Sequence, residues 1–151
     1  MLEKVILHNF KSHSSTQLGL DKSRLHALVG QNSAGKTSML QALHYLSRLA
    51  NSPFAKIFQY ERSPEFITTT GQDNLSVTGT GYWGHNNPKQ WEASYHWQQS
   101  VNPPWLPTAS WKTEQDEKSV EGWSSSLSDA PDPITRALRY SVHLKLVGLK
   151  R

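Results

Sequence analysis

The run Gly30-Gln31-Asn32-Ser33-Ala34-Gly35-Lys36-Thr37 places a glycine at each end of a short polar stretch, then a lysine and a threonine. That order, GxxxxGK[ST], is the spacing of a phosphate-binding loop of the Walker A type. Gly30 and Gly35 permit dihedrals that a Cβ would obstruct, so successive backbone N–H groups from Gln31, Asn32, Ser33 and Ala34 can turn into one concavity. A helix starting near Lys36 would add its unpaired amides and the positive end of its dipole. In such a site Lys36 would set its ammonium against the β- and γ-phosphates of ATP, and Thr37 would offer its hydroxyl to Mg²⁺. Ser38 supplies a second hydroxyl beside them. A merely polar turn is the competing reading of the same residues.

The motif needs a strand before it and a helix after it. Leu25 to Val29 is a mostly apolar run of strand length ending at Gly30. Met39, Leu40, Leu43, Leu46 and Ala50 recur on one helical face, and Asn51-Ser52-Pro53 stops them. Upstream, Met1 to Phe10 reads as a strand, with Val5, Ile6, Leu7 and Phe10 apolar on both faces. Thr16, Leu18 and Leu20 alternate with polar neighbours as a second, half-exposed strand, and Asp21 to Arg24 forms a polar turn.

Asn9-Phe10-Lys11-Ser12-His13, taken with Leu28 to Leu43, resembles the start of the ABC-type chromosome and repair ATPases, the group of SMC, RecF, SbcC-type and OLD-type proteins. Those AAA-type ATPases open on a strand ending in an Asn-Phe-Arg-Ser-like segment, followed by a Gly-x-Asn-x-x-Gly-Lys-Ser/Thr loop. The resemblance covers roughly the first 50 residues. It implies that Lys11 and Ser12 contact the nucleotide. Lysine stands where the family usually carries arginine, and it lacks arginine's planar bidentate contact. Without the resemblance, Lys11-Ser12-His13 reads as a polar turn.

The same resemblance identifies what this stretch lacks. Hydrolysis in the class requires a Walker B segment, an apolar run followed by Asp-Glu, and none occurs. A Leu-Ser-Gly-Gly signature is also missing: Ser126-Leu127-Ser128-Asp129-Ala130-Pro131 lacks both glycines. Gln59 and Gln72 are unsupported candidates for the family's metal-contacting glutamine. The expectation is an amino-terminal piece that binds nucleotide without cleaving it. Its partners would be ATP, the carboxy-terminal half of the ATPase head, a second head in a homodimer, and DNA.

Composition is compatible with this. At 151 residues the chain has the size of one domain, and it contains no cysteine. No apolar stretch has the length of a membrane span, so no membrane partner is expected, and the lack of cysteine is compatible with the cytoplasmic setting expected. The net charge of +4 is local: residues 1–50 hold six Lys or Arg against two acids, whereas residues 51–151 hold ten of each. The surplus therefore surrounds the phosphate-loop motif. The seven histidines show no metal-ligand spacing, and His26 reads as a packed strand residue.

From Gly71 to Trp123 the chain carries all six tryptophans, Trp83, Trp91, Trp97, Trp105, Trp111 and Trp123. Leu75 to Thr78 and Trp91 to Trp97 alternate like antiparallel strands around Asn86-Asn87-Pro88, and Thr113 to Gly122 reads as a charged loop. Packing of a small β-subdomain and stacking on unpaired bases both remain open for the tryptophans. Gly79-Thr80-Gly81-Tyr82-Trp83-Gly84 matches GxGxxG, but Asn86-Asn87-Pro88 opposes the helix a dinucleotide site needs, so it reads as strand or turn. Pro131 and Pro133 precede a short turn at Ile134 to Leu138, and Tyr140 to Leu146 alternates as a strand.

The expected fold is therefore α/β: the amino-terminal lobe of an ABC-type P-loop ATPase head, with an antiparallel β layer and a Walker A helix, plus a Trp-rich β insertion. Residues 1–70 would form the ATP-binding lobe, 71–130 the Trp-rich part, and 131–151 a turn and strand returning to the core. A non-enzymatic nucleotide-binding adaptor, meeting a partner through the tryptophans, is the alternative. A P-loop kinase would need an arginine-bearing lid, for which Arg136 and Arg139 are too few.

Overall fold

A computed structural model describes residues 2–20, 35–58, 67–84, 86–99 and 105–141. The apolar run at the amino terminus gives β1 (Leu2–Phe10), in which Val5, Leu7 and Phe10 are buried and Ile6 is half-buried, followed by β2 (His13–Gly19). The helix α1 (Lys36–Arg48) and the short α2 (Phe54–Ile57) come next. Then follow β3 (Asn74–Trp83), β4 (Lys89–Gln99), β5 (Trp105–Thr113), β6 (Glu117–Glu121) and α3 (Asp132–Ser141). The strands form one six-stranded sheet in the order β2-β1-β3-β4-β5-β6. Every neighbouring pair is antiparallel.

One face of the sheet is the core. In register across it lie Leu18, Val5, Gly79, Ala93 and Trp111, and beside them Thr16, Leu7, Val77, Tyr95 and Ala109. The pleat sends alternate residues to this face, which is why Val5, Leu7, Leu75, Val77, Ala93, Tyr95 and Trp97 are buried together. Met39, Ala42, Leu43, Leu46 and Leu49 of α1 belong to the same core cluster. Gly79 is what lets the helix sit close. A Cβ there would lie 3.0 Å from Leu46 Cδ2 and 3.1 Å from Leu2 Cδ1. Tyr95 fastens the two layers, donating its hydroxyl hydrogen to the Ala42 carbonyl at 3.0 Å from a fully buried position.

The tryptophan-bearing strands extend the sheet of β1 and β2, and their rings serve the shared core. Trp91, Trp97 and Trp105 are buried, whereas Trp83 and Trp123 are each 37% exposed. Trp97 is a hub, with Phe58 at 4.8 Å, Phe54 at 5.5 Å and Trp123 at 5.1 Å between ring centroids, all edge-on. The start of α2 is tied to the same region, since the amides of Phe54 and Ala55 donate to the carbonyls of Ser125 and Trp123. Gly79 to Trp83 lie within β3 and Gly84 follows at φ 94°, so the GxGxxG string is strand and turn.

Two expectations fail. The charged stretch Thr113 to Gly122 is not wholly a loop. Thr113 closes a tight turn, its amide donating to the Asp116 carbonyl at 2.7 Å, and β6 follows. Such a strand escapes alternation because an edge is kept charged, and Val120 is its sole apolar residue. Likewise, residues 132–141 form a helix of ten residues, not a short turn leading to a strand at Tyr140. Proline in its first turn is tolerated there, and Ile134, Ala137 and Leu138 share the face that meets the core. The rest of that expected strand, residues 142–146, lies outside the described residues.

Burial, and secondarily Tyr45, pushes the Tyr95 phenol well above its ordinary value. Its folded form keeps its proton longer than the unfolded chain does, so its contribution is complete below about pH 10 and is lost as pH rises through the folded value. Tyr95→Phe should cost about 1 kcal/mol near neutrality and flatten the alkaline loss of stability, as read by urea unfolding between about pH 8 and pH 11. Gly79→Val should cost about 1–3 kcal/mol by forcing α1 off the sheet, measurable in the same unfolding assay.

Candidate functional site

The carboxyl end of β1 is bent by two non-glycine residues in the left-handed region, Asn9 at φ 55° and Lys11 at φ 50°. Asparagine tolerates that region and lysine seldom enters it. A neighbouring segment holds both. Thr69 N–H donates to the Asn9 carbonyl at 2.8 Å, and Lys11 N–H donates to the Ile67 carbonyl at 2.7 Å. Thr69 Oγ1 donates to the Lys11 carbonyl at 2.7 Å, and Asn9 Nδ2 donates to Asn74 Oδ1 at 3.2 Å. Phe10, between the two bent residues, is fully buried. Phe10 pairs with His13, so Lys11 and Ser12 alone form the hairpin loop that joins β1 to β2.

That hairpin abuts the start of α1. Gly35 caps the helix at φ 78°, a conformation for which glycine is the natural residue. A Cβ on Gly35 would fall 2.7 Å from His13 Nε2 and 3.1 Å from Ser12 Oγ. His13 Nε2 lies 2.9 Å from the Gly35 carbonyl oxygen, and its Nδ1 lies 2.8 Å from Thr16 Oγ1. A carbonyl only accepts, so Nε2 carries the hydrogen; in the neutral ring Nδ1 then accepts from Thr16.

The first bond of the helix ladder runs from Met39 N–H to the Gly35 carbonyl at 3.0 Å, leaving the Lys36, Thr37 and Ser38 amides ahead of it. Among the described residues no side chain caps this end, and its first turn holds no acid. Arg48 stands in the last turn, where the dipole favours a cation. Partial burial, and then Arg48, lowers the pKa of His44 and favours its neutral ring. The dipole makes the amino end of α1 electropositive and favourable to an anion, and Thr37 and Ser38 beside it are half-buried.

Of the expected site residues, Gly35, Thr37, Ser38, Lys11 and Ser12 fall around this junction, and Lys36 is the first residue of α1. Gly30, Gln31, Asn32, Ser33 and Ala34, and the strand expected before them, lie outside the described residues. Gln72 sits in the turn after Thr69, its amide donating to the Thr69 carbonyl, and Gln59 lies outside the described residues. Sequence reasoning missed His13 as a partner of Gly35, and Ile67 to Thr69 as the brace behind Lys11. The histidine was visible in the opening segment, but its partner is 22 positions away.

An antiparallel sheet backed by a helix that starts in a Gly-Lys-Thr segment defines an α/β protein. The family model described as the AAA ATPase domain matches residues 1–94, more than half of the sequence. The chain belongs to that family, on its ABC-type side as the opening residues suggested. It is also similar to the DNA replication and repair protein RecF of two strains of Leptospira biflexa serovar Patoc. Each is 36% identical over 69 residues, covering 44% of this chain and 18% of the RecF chain. Among the described residues no helix is long and apolar enough to cross a membrane.

Gly35→Ala should destabilise the chain by about 2 kcal/mol, because the new Cβ meets His13 and the left-handed conformation becomes strained. Thermal unfolding measures the loss. Amide hydrogen exchange should locate it in the first turn of α1.

Proposed function

We propose that this chain captures MgATP as the nucleotide-binding part of an SMC/RecF/SbcC-like ATPase acting on DNA. The observation that carries the reading is the meeting of the hairpin, through Ser12 and His13, with Gly35 at the amino end of α1. Three features of the opening sequence thereby converge: a basic residue and a serine on a turn, a glycine in the left-handed region, and a helix amino terminus free of acids. In this arrangement the amides of Lys36, Thr37 and Ser38 receive phosphate oxygens, together with those of Gln31, Asn32, Ser33 and Ala34, with Gly30 opening the loop. Lys36 balances phosphate charge, and Thr37 gives its hydroxyl to Mg²⁺. Lys11 and Ser12 close the site from the side of β1. Bound Mg²⁺ would draw negative charge from the phosphate oxygens.

The fit is supported by the cradle at Gly35, where any side chain would occupy the space between His13, Ser12 and the helix end. Hydrolysis is assigned to the complete ATPase head, in which a Walker B half joins this one and a second head completes a homodimer. The RecF relatives are DNA replication and repair proteins by name, which supports a role on DNA in repair; recombination or defence against phage is what the resemblance of the opening segment implies. Burial of Trp91, Trp97 and Trp105 removes those rings from any partner surface, which weighs against the adaptor reading.

Titration with a fluorescent ATP analogue in the presence of Mg²⁺ tests the proposal. Lys36→Ala should weaken binding by at least roughly tenfold, the usual scale for a charged contact to phosphate. Equal binding by the variant would remove the loop from the site.

A further inference from the structure

We infer that His13 is a positioning residue that aims the Lys36 amide at the bound phosphates. This rests on the reading of the loop as a nucleotide site, and deepens it. The Gly35 carbonyl and the Lys36 N–H belong to one planar trans peptide unit, in which they point in opposite directions. Whatever fixes the carbonyl therefore fixes the amide. The Gly35 oxygen takes hydrogen from two sides, from Met39 N–H at 3.0 Å and from His13 Nε2 at 2.9 Å. The helix bond alone leaves the peptide free to rock about a glycine whose backbone has no Cβ to restrain it. A second donor, fixed on the sheet, removes that freedom.

The imidazole is itself held. Thr16 Oγ1 at 2.8 Å from Nδ1 sets the ring plane, and the bond from Thr16 fixes the tautomer that puts the hydrogen on Nε2. His13 is the first residue of β2 and pairs with Phe10, whose ring is fully buried. The chain of support runs from the core through Phe10 and His13 to the Gly35–Lys36 peptide. It is the arrangement by which an outlying histidine orients a binding group without touching the ligand. A Cβ at Gly35 would lie 2.7 Å from His13 Nε2 and 3.1 Å from Ser12 Oγ, so glycine is required here for space as well as for conformation.

The test compares His13→Ala with His13→Gln, whose side-chain amide can still donate to the same carbonyl, and with Thr16→Val, which frees the ring. The readouts are affinity for a fluorescent ATP analogue with Mg²⁺ and the ¹⁵N–¹H resonance of Lys36 in the nucleotide-free protein. His13→Ala should weaken binding roughly tenfold, His13→Gln should recover to within about threefold of the parent, and Thr16→Val should fall between them. Thermal unfolding should move little in all three. Unchanged affinity in His13→Ala overturns the inference, and so does a His13→Gln variant as weak as His13→Ala. If the parent protein itself binds no nucleotide, the functional reading fails. The clamp is then judged by the Lys36 resonance alone: displacement in His13→Ala and return in His13→Gln uphold it, and no displacement overturns it.

Discussion

Strand β1 is hydrogen-bonded on both sides, by β2 through the Lys11-Ser12 hairpin and by β3 through a long-range antiparallel ladder. This double pairing sets where the carboxyl end of β1 emerges, and the site depends on that point. A strand paired on one side could twist or slip, and a slip of one residue would turn Val5 and Leu7 out of the core. With both neighbours in register, Phe10 is anchored in the interior and Ser12 and His13 are delivered against Gly35. The junction between hairpin and helix is thus a consequence of sheet register, not of local preference.

The helix half of the junction is placed by different physics. α1 carries no side-chain cap at its start among the described residues, so its position is set by the face it buries. Gly79 lowers the sheet surface beneath Leu46, and Tyr95 pins the middle of the helix through the Ala42 carbonyl. The aromatic group around Trp97 then fixes the chain beyond the helix, where Phe54 and Phe58 meet it edge-on. These contacts are remote from Gly35, yet they hold the helix axis to which the Lys36, Thr37 and Ser38 amides belong. Stability and binding geometry therefore share residues in this fold.

Much of this was legible in the sequence where the signal is periodic or local. Strand β1 follows from the apolar run Val5-Ile6-Leu7 and Phe10, β2 to β4 from alternation at Leu18, Leu75, Val77 and Trp91 to Trp97, and α1 from its apolar spacing after Lys36. What was not legible has one of two causes. Strand β6 and helix α3 carry weak or mixed patterns: an edge strand needs charge more than alternation, and Pro131 and Pro133 masked a helix that Ile134 and Leu138 support by burial. The other cause is distance. The contact of His13 with Gly35, and the brace of Lys11 by Ile67 and Thr69, join residues far apart in the chain. A single sequence shows such residue types without showing that they meet.

The brace explains how the hairpin tolerates its own geometry. Non-glycine residues with positive φ cost about 1–3 kcal/mol each, and two of them, Asn9 and Lys11, flank Phe10 where β1 runs into the hairpin. Glycine would relieve both positions, but it would also free the loop that presents Lys11 and Ser12. Instead the backbone groups of Asn9 and Lys11 are bound by Ile67 and Thr69, with the Thr69 hydroxyl adding a third bond. Each bond is worth about 1 kcal/mol net, so together they offset strain of that size. The outcome is a rigid turn built from residues that carry side chains. In the proposed nucleotide site, a basic group and a hydroxyl held in fixed relation to the helix end would need that rigidity, because loop ordering at the moment of binding would subtract directly from affinity. The strained residues and the clamped glycine therefore serve one constraint, the fixed separation of the hairpin from the first turn of α1.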